Sequence, residues 1–441
     1  MKKIILSMIG LLAATAFAPQ ASAVPAFARQ TGMACNACHQ QHFPILNSFG
    51  RAFKADGFTM VGSQPLIEDE HMSLPSVLNT GILLKAQYRI TNGDVKVRPD
   101  GNTSNDGRWM VPDEFGLFFG GRLADTGALK VGTMIEHDMD NLVGFRIPVV
   151  ADLGGVKLSA IPFLTDALGP WYGYTESSTG LNRAVRWNEH HADISAHRFV
   201  GAATGSASGV SLLVKADIGY LNYTMWTPNF PMTDQSLALS MVHAAWTPTF
   251  GAWDMVVGVD VISGTDKVAD PVVAGTPAGF EINQTTGTIV PVAATPASGT
   301  GTFVDGADYK MTGLTVQAHG AFGEMPAGIY ATYAVAPKST VDSTNAYNGN
   351  ANDESAFTIG ADVSVIPHAL HVGAAYRAGT TGAVDAAGDD VTDNALTVAM
   401  TYDLAQNLAL QVTHSMYSGT KYDKVQAAGD AQTSILLETA W

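Results

Sequence analysis

Hydrophobic and polar residues alternate along many short segments of this 441-residue chain. Between positions 357 and 365, the odd positions hold Phe, Ile, Ala, Val and Val, and the even positions hold Thr, Gly, Asp and Ser. The segments 210–218, 255–261, 396–404 and 408–416 show the same pattern. A period of two is that of a β-strand, whose side chains point alternately to its two faces. Alternation over about ten residues between turns is typical of transmembrane β-strands.

These segments predict a mainly β fold, an outer-membrane antiparallel β-barrel of about 16 strands, an even number as in bacterial barrels. The strands are expected near 77–89, 111–123, 128–137, 142–150, 155–163, 197–204, 209–225, 236–246, 253–263, 308–321, 328–336, 356–366, 369–378, 394–403, 408–418 and 431–441. Long connections are expected near 90–110, 164–196, 264–307, 337–355, 379–393 and 419–430. Short connections lie between them, such as 125–127, 205–208 and 405–407. Long outer loops and short periplasmic turns are the pattern of such barrels.

Composition agrees with a barrel. Hydrophobic residues make up 46% of the chain and charged residues only 15%, yet only one stretch is long and apolar. Strands that face lipid on one side explain this combination. A soluble β-sandwich or solenoid is the competing architecture, but about sixteen strands exceed one sandwich and no sequence repeat is visible. The net charge of −16 argues against a nucleic-acid partner.

The one apolar stretch, residues 4–18, follows Lys2 and Lys3 and precedes the small residues 21–23. This order is that of a secretory signal peptide, so residues 1–23 are expected to be cleaved. A retained membrane anchor is the alternative, although a spanning helix needs about 20 residues. The mature protein is therefore expected in the bacterial outer membrane, in contact with its lipid.

Both cysteines of the chain lie in the motif Cys35-Asn36-Ala37-Cys38-His39. C-x-x-C-H is the attachment signature of a c-type haem. Two thiols one helical turn apart can each form a thioether with a haem vinyl group, and the adjacent histidine is then held under the iron as an axial ligand. A redox dithiol or a small disulfide is the alternative. Such sites usually lie in a βαβ pattern, which is absent here. The motif therefore predicts one covalently bound c-type haem.

The residues after the motif predict a short helix that covers a porphyrin. Pro44 suits the first turn of a helix, and Leu46, Phe49 and Phe53 follow at helical spacing on one face. Gly57 supplies a C-terminal stop. The expected result is a small α-helical c-type cytochrome domain.

This cytochrome domain is expected to span residues 24–76, and the porin-like barrel residues 77–441. About fifty residues form little core on their own, so the haem or an enclosing partner must supply much of the burial. Arg29, Arg51 and Lys54 are candidate partners of the haem propionates.

The sixth iron ligand has several candidates. His71 is the first choice, and Met60 and Met72 are the alternatives. His42 ranks last because it lies only three residues from His39. Histidine would give a lower potential and methionine a higher one, and an open, five-coordinate site is the remaining possibility.

Two loop segments gather imidazoles and carboxylates. The first contains Glu189, His190, His191 and Asp193, with His197 beyond them. Such ligands suit a divalent metal such as Fe(II), although no tight ligand spacing is met, and a polar loop is the simpler interpretation. The segment 136–140 is a second, weaker candidate.

With haem and barrel both in place, the sequence resembles a known family, the fused monohaem cytochrome–porins that serve iron-oxidising bacteria as outer-membrane iron oxidases. The resemblance covers about a tenth of the chain and rests on residues 27–33, Cys35, Cys38, His39, Phe43-Pro44, Leu46-Asn47, Gly50-Arg51, Phe53-Lys54 and Gly57-Phe58, and more weakly on His71 and 73–75. It implies electron uptake from extracellular Fe(II) and transfer to a periplasmic cytochrome. Phe58 stands where many relatives have tyrosine.

A physical argument agrees with this function. A single haem can help electrons to cross a membrane only if it lies within the membrane's depth, and a barrel of this size can admit a small plug. We therefore expect the haem domain to plug or cap the lumen. Two alternatives remain: a haem-gated or haem-sensing porin for small solutes, and an electron conduit for another donor such as a sulfur compound.

Overall fold

A computed structural model describes most of the chain. The described residues are 25–40, 45–62, 64–93, 105–138, 142–177, 195–229, 236–270, 279–282, 289–292, 302–367, 369–422 and 429–441. They form a closed antiparallel β-barrel of 16 strands, in which the last strand pairs with the first. The predicted barrel is confirmed. The predicted signal peptide lies outside the described residues.

The barrel strands are numbered in chain order. They are β1 Thr80–Thr91, β2 Arg108–Asp125, β3 Leu129–Asp138, β4 Leu142–Arg146 with Val149–Asp152, β5 Val156–Thr165, β6 Ala207–Ala216, β7 Gly219–Thr227, β8 Leu239–Trp246, β9 Trp253–Ser263, β10 Met311–Phe322, β11 Met325–Ala336, β12 Glu354–Ile366, β13 Leu370–Val384, β14 Asn394–Ala405, β15 Leu408–Ser418 and β16 Ala431–Ala440. Both halves of β4 pair with β3 and β5, so they form one interrupted strand.

The remaining elements are short. The helices are α1 Pro25–Thr31, α2 Ser48–Ala55 and α3 Ala196–Phe199, with 3-10 turns at Cys35–Ala37, Gly169–Tyr172 and Thr420–Tyr422. Small strands lie at Leu66–Glu68, Ser73–Pro75, Thr249–Phe250, Thr265–Asp270, Gly279–Ile282, Ile289–Val292, Thr302–Asp308 and Asp390–Thr392. Within the described residues, no helix is long and apolar enough to cross a membrane.

The alternation in the sequence corresponds to the two faces of the barrel wall. In β12, Phe357 and Ile359 are 43% and 44% exposed on the outside, whereas Thr358 between them is 1% exposed. On β14, Leu396 and Val398 are exposed, and Thr397 is buried. An apolar outer surface around a polar lumen is the arrangement of a barrel that lies in lipid.

Two predicted strands are wrong, and their errors compensate in the strand count. Residues 197–204 form α3 and a turn rather than a strand. Residues 209–225 form two strands, β6 and β7, which meet at a two-residue turn, Asp217-Ile218. The connection predicted at 205–208 is also too long, because Ala207 and Ser208 already belong to β6.

The described parts of the N-terminal segment, residues 25–40 and 45–62, lie inside the barrel near the end with the short turns. Arg29 Nη1 donates to the carbonyl of Thr80 at the start of β1. Gln40 bonds to the carbonyl of Gly320 near the end of β10. Asp56 pairs with Lys157 near the start of β5. These strands lie on different sides of the wall, so the segment is held across the lumen as a plug.

Candidate functional site

Helix α2 differs slightly from the sequence prediction. It begins at Ser48, four residues after Pro44, because the side chain of Asn47 caps it by accepting from Gly50 N at 2.9 Å. Pro44 itself lies outside the described residues. Gly57 follows the helix with a φ of +69°, the left-handed conformation of a C-terminal stop. Phe53 is buried, but Phe49 is 38% exposed and does not cover the site.

The C-x-x-C-H motif forms a compact turn against α2. Cys35–Ala37 is a 3-10 turn, and the carbonyl of Cys35 accepts from the amides of Cys38 and His39 at 3.1 and 2.9 Å. The carbonyl of Cys38 accepts from Asn47 N and lies so close to Gly50 that a Cβ there would collide with it. The two thiols of the motif form no disulfide.

The side chains of the motif have the properties that haem attachment requires. His39 Nδ1 lies 3.1 Å from the carbonyl oxygen of Ile45. With Nδ1 donating to a carbonyl, Nε2 carries the lone pair that binds a metal, and the ring orientation is fixed. Burial, aided by the neighbouring Cys35, raises the pKa of the Cys38 thiol. Redox C-x-x-C pairs usually have a lowered thiol pKa, and burial acts in the opposite direction at Cys38.

Cys35, Cys38 and His39 line a cavity in the lumen with a volume of about 360 Å³, within the usual range of about 300–1,000 Å³ for ligand and cofactor sites. Its apolar lining includes Phe27, Leu46, Phe53, Phe58, Leu83, Phe118, Met134, Trp171 and Tyr172. The plug and the barrel wall both contribute to this lining. A largely apolar enclosure suits a porphyrin. The lining also contains the charged residues Lys54, Lys85, Glu114, Glu136, Arg146 and Asp166.

An aromatic cluster forms the plug side of the cavity. The rings of Phe27 and Phe58 stack with centroids 4.9 Å apart, and Phe53 meets Phe27 edge-on at 5.3 Å. Helix α1 is fixed by Gln30, whose Nε2 donates to the carbonyls of Phe58 and Met60 at 2.6 and 2.8 Å. Its Oε1 accepts from the backbone amide of Arg122 on β2.

The loop between β5 and β6, residues 166–206, is called loop 3. Its described parts fold into the lumen and cover the plug from the side of the long loops. Lys54 Nζ donates to the carbonyl of Thr175 at 2.5 Å, and Arg51 Nε lies 3.2 Å from Glu176 Oε2. Arg51 also bonds to Asp254 of β9 at 2.6 Å. Loop 3 is thus tied to α2 and to the wall.

The second half of loop 3 carries a buried polar network. His197 Nε2 lies 3.0 Å from Asp260, which also bonds to His243 and to the indole nitrogen of Trp171. His243 in turn lies 2.5 Å from the hydroxyl of Tyr220. The network joins loop 3 to β7, β8 and β9. Within the described residues, no group of three or more His, Cys, Asp or Glu side chains could hold a metal ion.

The described candidates for the sixth iron ligand, His71, Met60 and Met72, are not among the residues that line this cavity. His71 and Met72 are exposed on the turn between Leu66–Glu68 and Ser73–Pro75. Met60 is half-buried and is not part of the lining. His42 lies outside the described residues. None of these assignments is tested by the geometry, so His71 with the two methionines stays a prediction.

The predicted loop sites are only partly described. Glu189, His190, His191 and Asp193 lie outside the described residues. In the second segment, Glu136 lines the cavity and His137 bonds to the carbonyl of Asp138. The structure therefore does not test an Fe(II) site in the loops.

Several cavity residues escaped the sequence analysis. Met33 and Met134 line the cavity, as do Arg146 of β4 and the Trp171-Tyr172 pair of loop 3. Met33 lies two positions before Cys35, which was a usable signal. The others come from strands and a loop more than ninety positions further along the chain, and only the closed barrel brings them to the motif.

Comparisons with known proteins give structural likenesses only. No protein family and no curated protein matches the chain. Among solved structures, the outer-membrane protein OmpT of Vibrio cholerae is similar at 13% identity, covering 86% of this chain and 100% of its own, with a TM-score of 0.49. The outer-membrane channel DcaP of Acinetobacter baumannii is similar at 12% identity, covering 82% and 97%, with a TM-score of 0.47. A mutant of the Rh. blastica porin is similar at 11% identity, covering 83% and 100%, with a TM-score of 0.46.

Proposed function

We propose that this protein is an outer-membrane barrel of the porin type that holds one covalent c-type haem in its lumen. In this proposal it transfers electrons from extracellular Fe(II) to a periplasmic cytochrome. One observation carries the proposal: Cys35, Cys38 and His39 line an apolar cavity inside the barrel, with His39 Nδ1 on a backbone carbonyl. The electron donor rests on the resemblance to the cytochrome–porins.

The residues of the motif have distinct roles in this proposal. Cys35 and Cys38 would hold the haem through two thioethers, and His39 would coordinate its iron through Nε2. The phenylalanines of the plug exclude water from the porphyrin faces. When bound, the haem supplies a one-electron couple whose potential depends on its axial ligands and its burial.

In this proposal the electron donor and the electron acceptor meet the protein at opposite ends of the barrel. Each Fe(II) that reaches the long-loop side loses one electron and becomes Fe(III), which stays outside the cell. The electron is taken up by a periplasmic carrier at the short-turn side, where the plug lies. The net charge of −16 favours the approach of cations.

Haem spectroscopy on the purified full chain tests the proposal. The covalent haem should be reduced when the protein is mixed with Fe(II) in a stopped-flow instrument, and dithionite provides the reference for complete reduction. A variant with both Cys35→Ala and Cys38→Ala should lose its haem on denaturation and extraction, because neither thioether can form. A haem that dithionite reduces and Fe(II) does not would exclude the iron-oxidase function, and the same test with a reduced sulfur compound would identify the other class of donor.

A channel for small solutes is the second candidate function. The lumen-facing residues of β12–β15 are polar, among them Thr358, Asp362, Thr397 and Gln411, as in the walls of water-filled channels. The haem domain would then act as the gate or the sensor of this channel. Conductance of the reconstituted protein that is large and independent of haem redox state would favour this function.

A further inference from the structure

Three cations line the lumen cavity, and one of them, Lys85, is ion-paired with Glu114 and Glu438. Arg146 of β4 lies in the cavity lining, with its guanidinium 4.1 Å from the ring centroid of Tyr172. Its Nε is buried and has no hydrogen-bond partner among the described residues. A buried donor without a partner destabilises the folded protein, so its place at a cavity wall indicates that a ligand accepts from it.

Lys54 of α2 is the third cation. Its Nζ donates to the carbonyl of Thr175 and lies 5.3 Å from the ring of Tyr174. Burial, and next the repulsion from Arg146, lowers the pKa of Lys54 to about 7. Two like charges in an enclosed apolar site repel strongly unless an anion lies between them.

The carboxylates of the protein do not neutralise this pair. Within the described part of the chain, neither Arg146 nor Lys54 forms an ion pair with a carboxylate, although Glu136 and Asp166 also line the cavity. Glu176 acts on Lys54 at longer range, but it is ion-paired with Arg51 and with Lys215 at 2.7 Å.

We propose that Arg146 and Lys54 bind the two propionate carboxylates of the haem, an inference that rests on the proposed function. The guanidinium fork matches a carboxylate in two parallel hydrogen bonds. Arg29 and Arg51 do not line the cavity, and Arg51 is ion-paired with Glu176 and Asp254. A barrel strand and the plug therefore hold the same cofactor. Arg146 of β4 and Lys54 of the plug bind its carboxylates, and Cys35 and Cys38 of the plug form its thioethers.

The test compares the full-length, haem-loaded wild-type protein with two single variants, Arg146→Gln and Lys54→Gln. Arg122→Gln is the matched control, because Arg122 contacts Glu68 and Ser73 and does not line the cavity. The readouts are the haem midpoint potential and the propionate bending band in the resonance Raman spectrum. A nearby cation favours the reduced haem, which carries one positive charge fewer. Both cavity variants should therefore shift to lower potential with an altered propionate band, and the control should match wild type.

The variant Arg146→Lys keeps the positive charge and removes the fork geometry of the guanidinium. It also replaces Arg146→Gln in the test if that variant does not fold. Its haem midpoint potential should lie close to the wild-type value, whereas its propionate band should stay shifted, because lysine is a point charge without the fork. The assignment is overturned if Arg146→Gln leaves both readouts at wild-type values, or if the Arg122 control shifts as far. A wild-type protein without covalent haem would instead refute the proposed function, and the propionate assignment with it.

Discussion

At the scale of single residues, Gly50 determines whether α2 can lie against the C-x-x-C-H turn. A Cβ at this position would collide with the carbonyl of Cys38. We expect Gly50→Ala to displace the turn, with a cost of about 1–3 kcal/mol typical of overpacking, and to lower the ratio of covalent haem to protein. Ala52→Ser, on the exposed side of the same helix, is the control and should load normally. Equal haem contents would show that the contact does not matter.

The sixth ligand is also a question of single side chains. If it is a methionine, it should lie in the cavity lining, where Met33 and Met134 are the described methionines. Met33→Leu or Met134→Leu should then lose the near-infrared charge-transfer band of methionine-ligated ferric haem. His71→Ala, on an exposed turn, should keep the wild-type spectrum. A changed spectrum in His71→Ala would support the ligand predicted from the sequence.

At the scale of elements, loop 3 and α2 are joined through the buried Arg51–Glu176 pair, whose side chains are 5% and 0% exposed. Removing one partner of a buried pair costs about 3–5 kcal/mol. Arg51→Met should therefore increase hydrogen exchange at the amides of α2. Lys130→Met, which breaks a partly exposed pair with Asp56, should cost less, near about 0–1 kcal/mol. Equal exchange in the two variants would contradict the anchoring role of Arg51.

The alternation predicted most strands because each strand has one lipid-facing and one lumen-facing side. It failed at β6 and β7 because their turn, Asp217-Ile218, is too short to interrupt the hydrophobic pattern, even though Ile218 is exposed. It failed at residues 197–204 because the turn after α3 also buries apolar side chains within the lumen, namely Val200, Ala202 and Ala203. The haem motif was visible because its residues are adjacent, whereas Arg146 reaches it only through the closure of the barrel.

At the scale of the whole molecule, the plug and loop 3 together determine whether the lumen conducts solutes. The plug bonds to β1, β2, β5, β9 and β10, and loop 3 crosses to pack α3 against β11 and β12. An electron conduit needs no open water path, whereas a solute channel does. We therefore expect low conductance from the full chain in lipid bilayers and much higher conductance from a variant that lacks residues 24–76 but keeps the barrel. The full chain with Arg122→Gln should conduct as little as wild type. Equal, high conductance from the full chain and the deletion variant would favour the solute channel, since the polar faces of β12–β15 would then line an open path beside the plug.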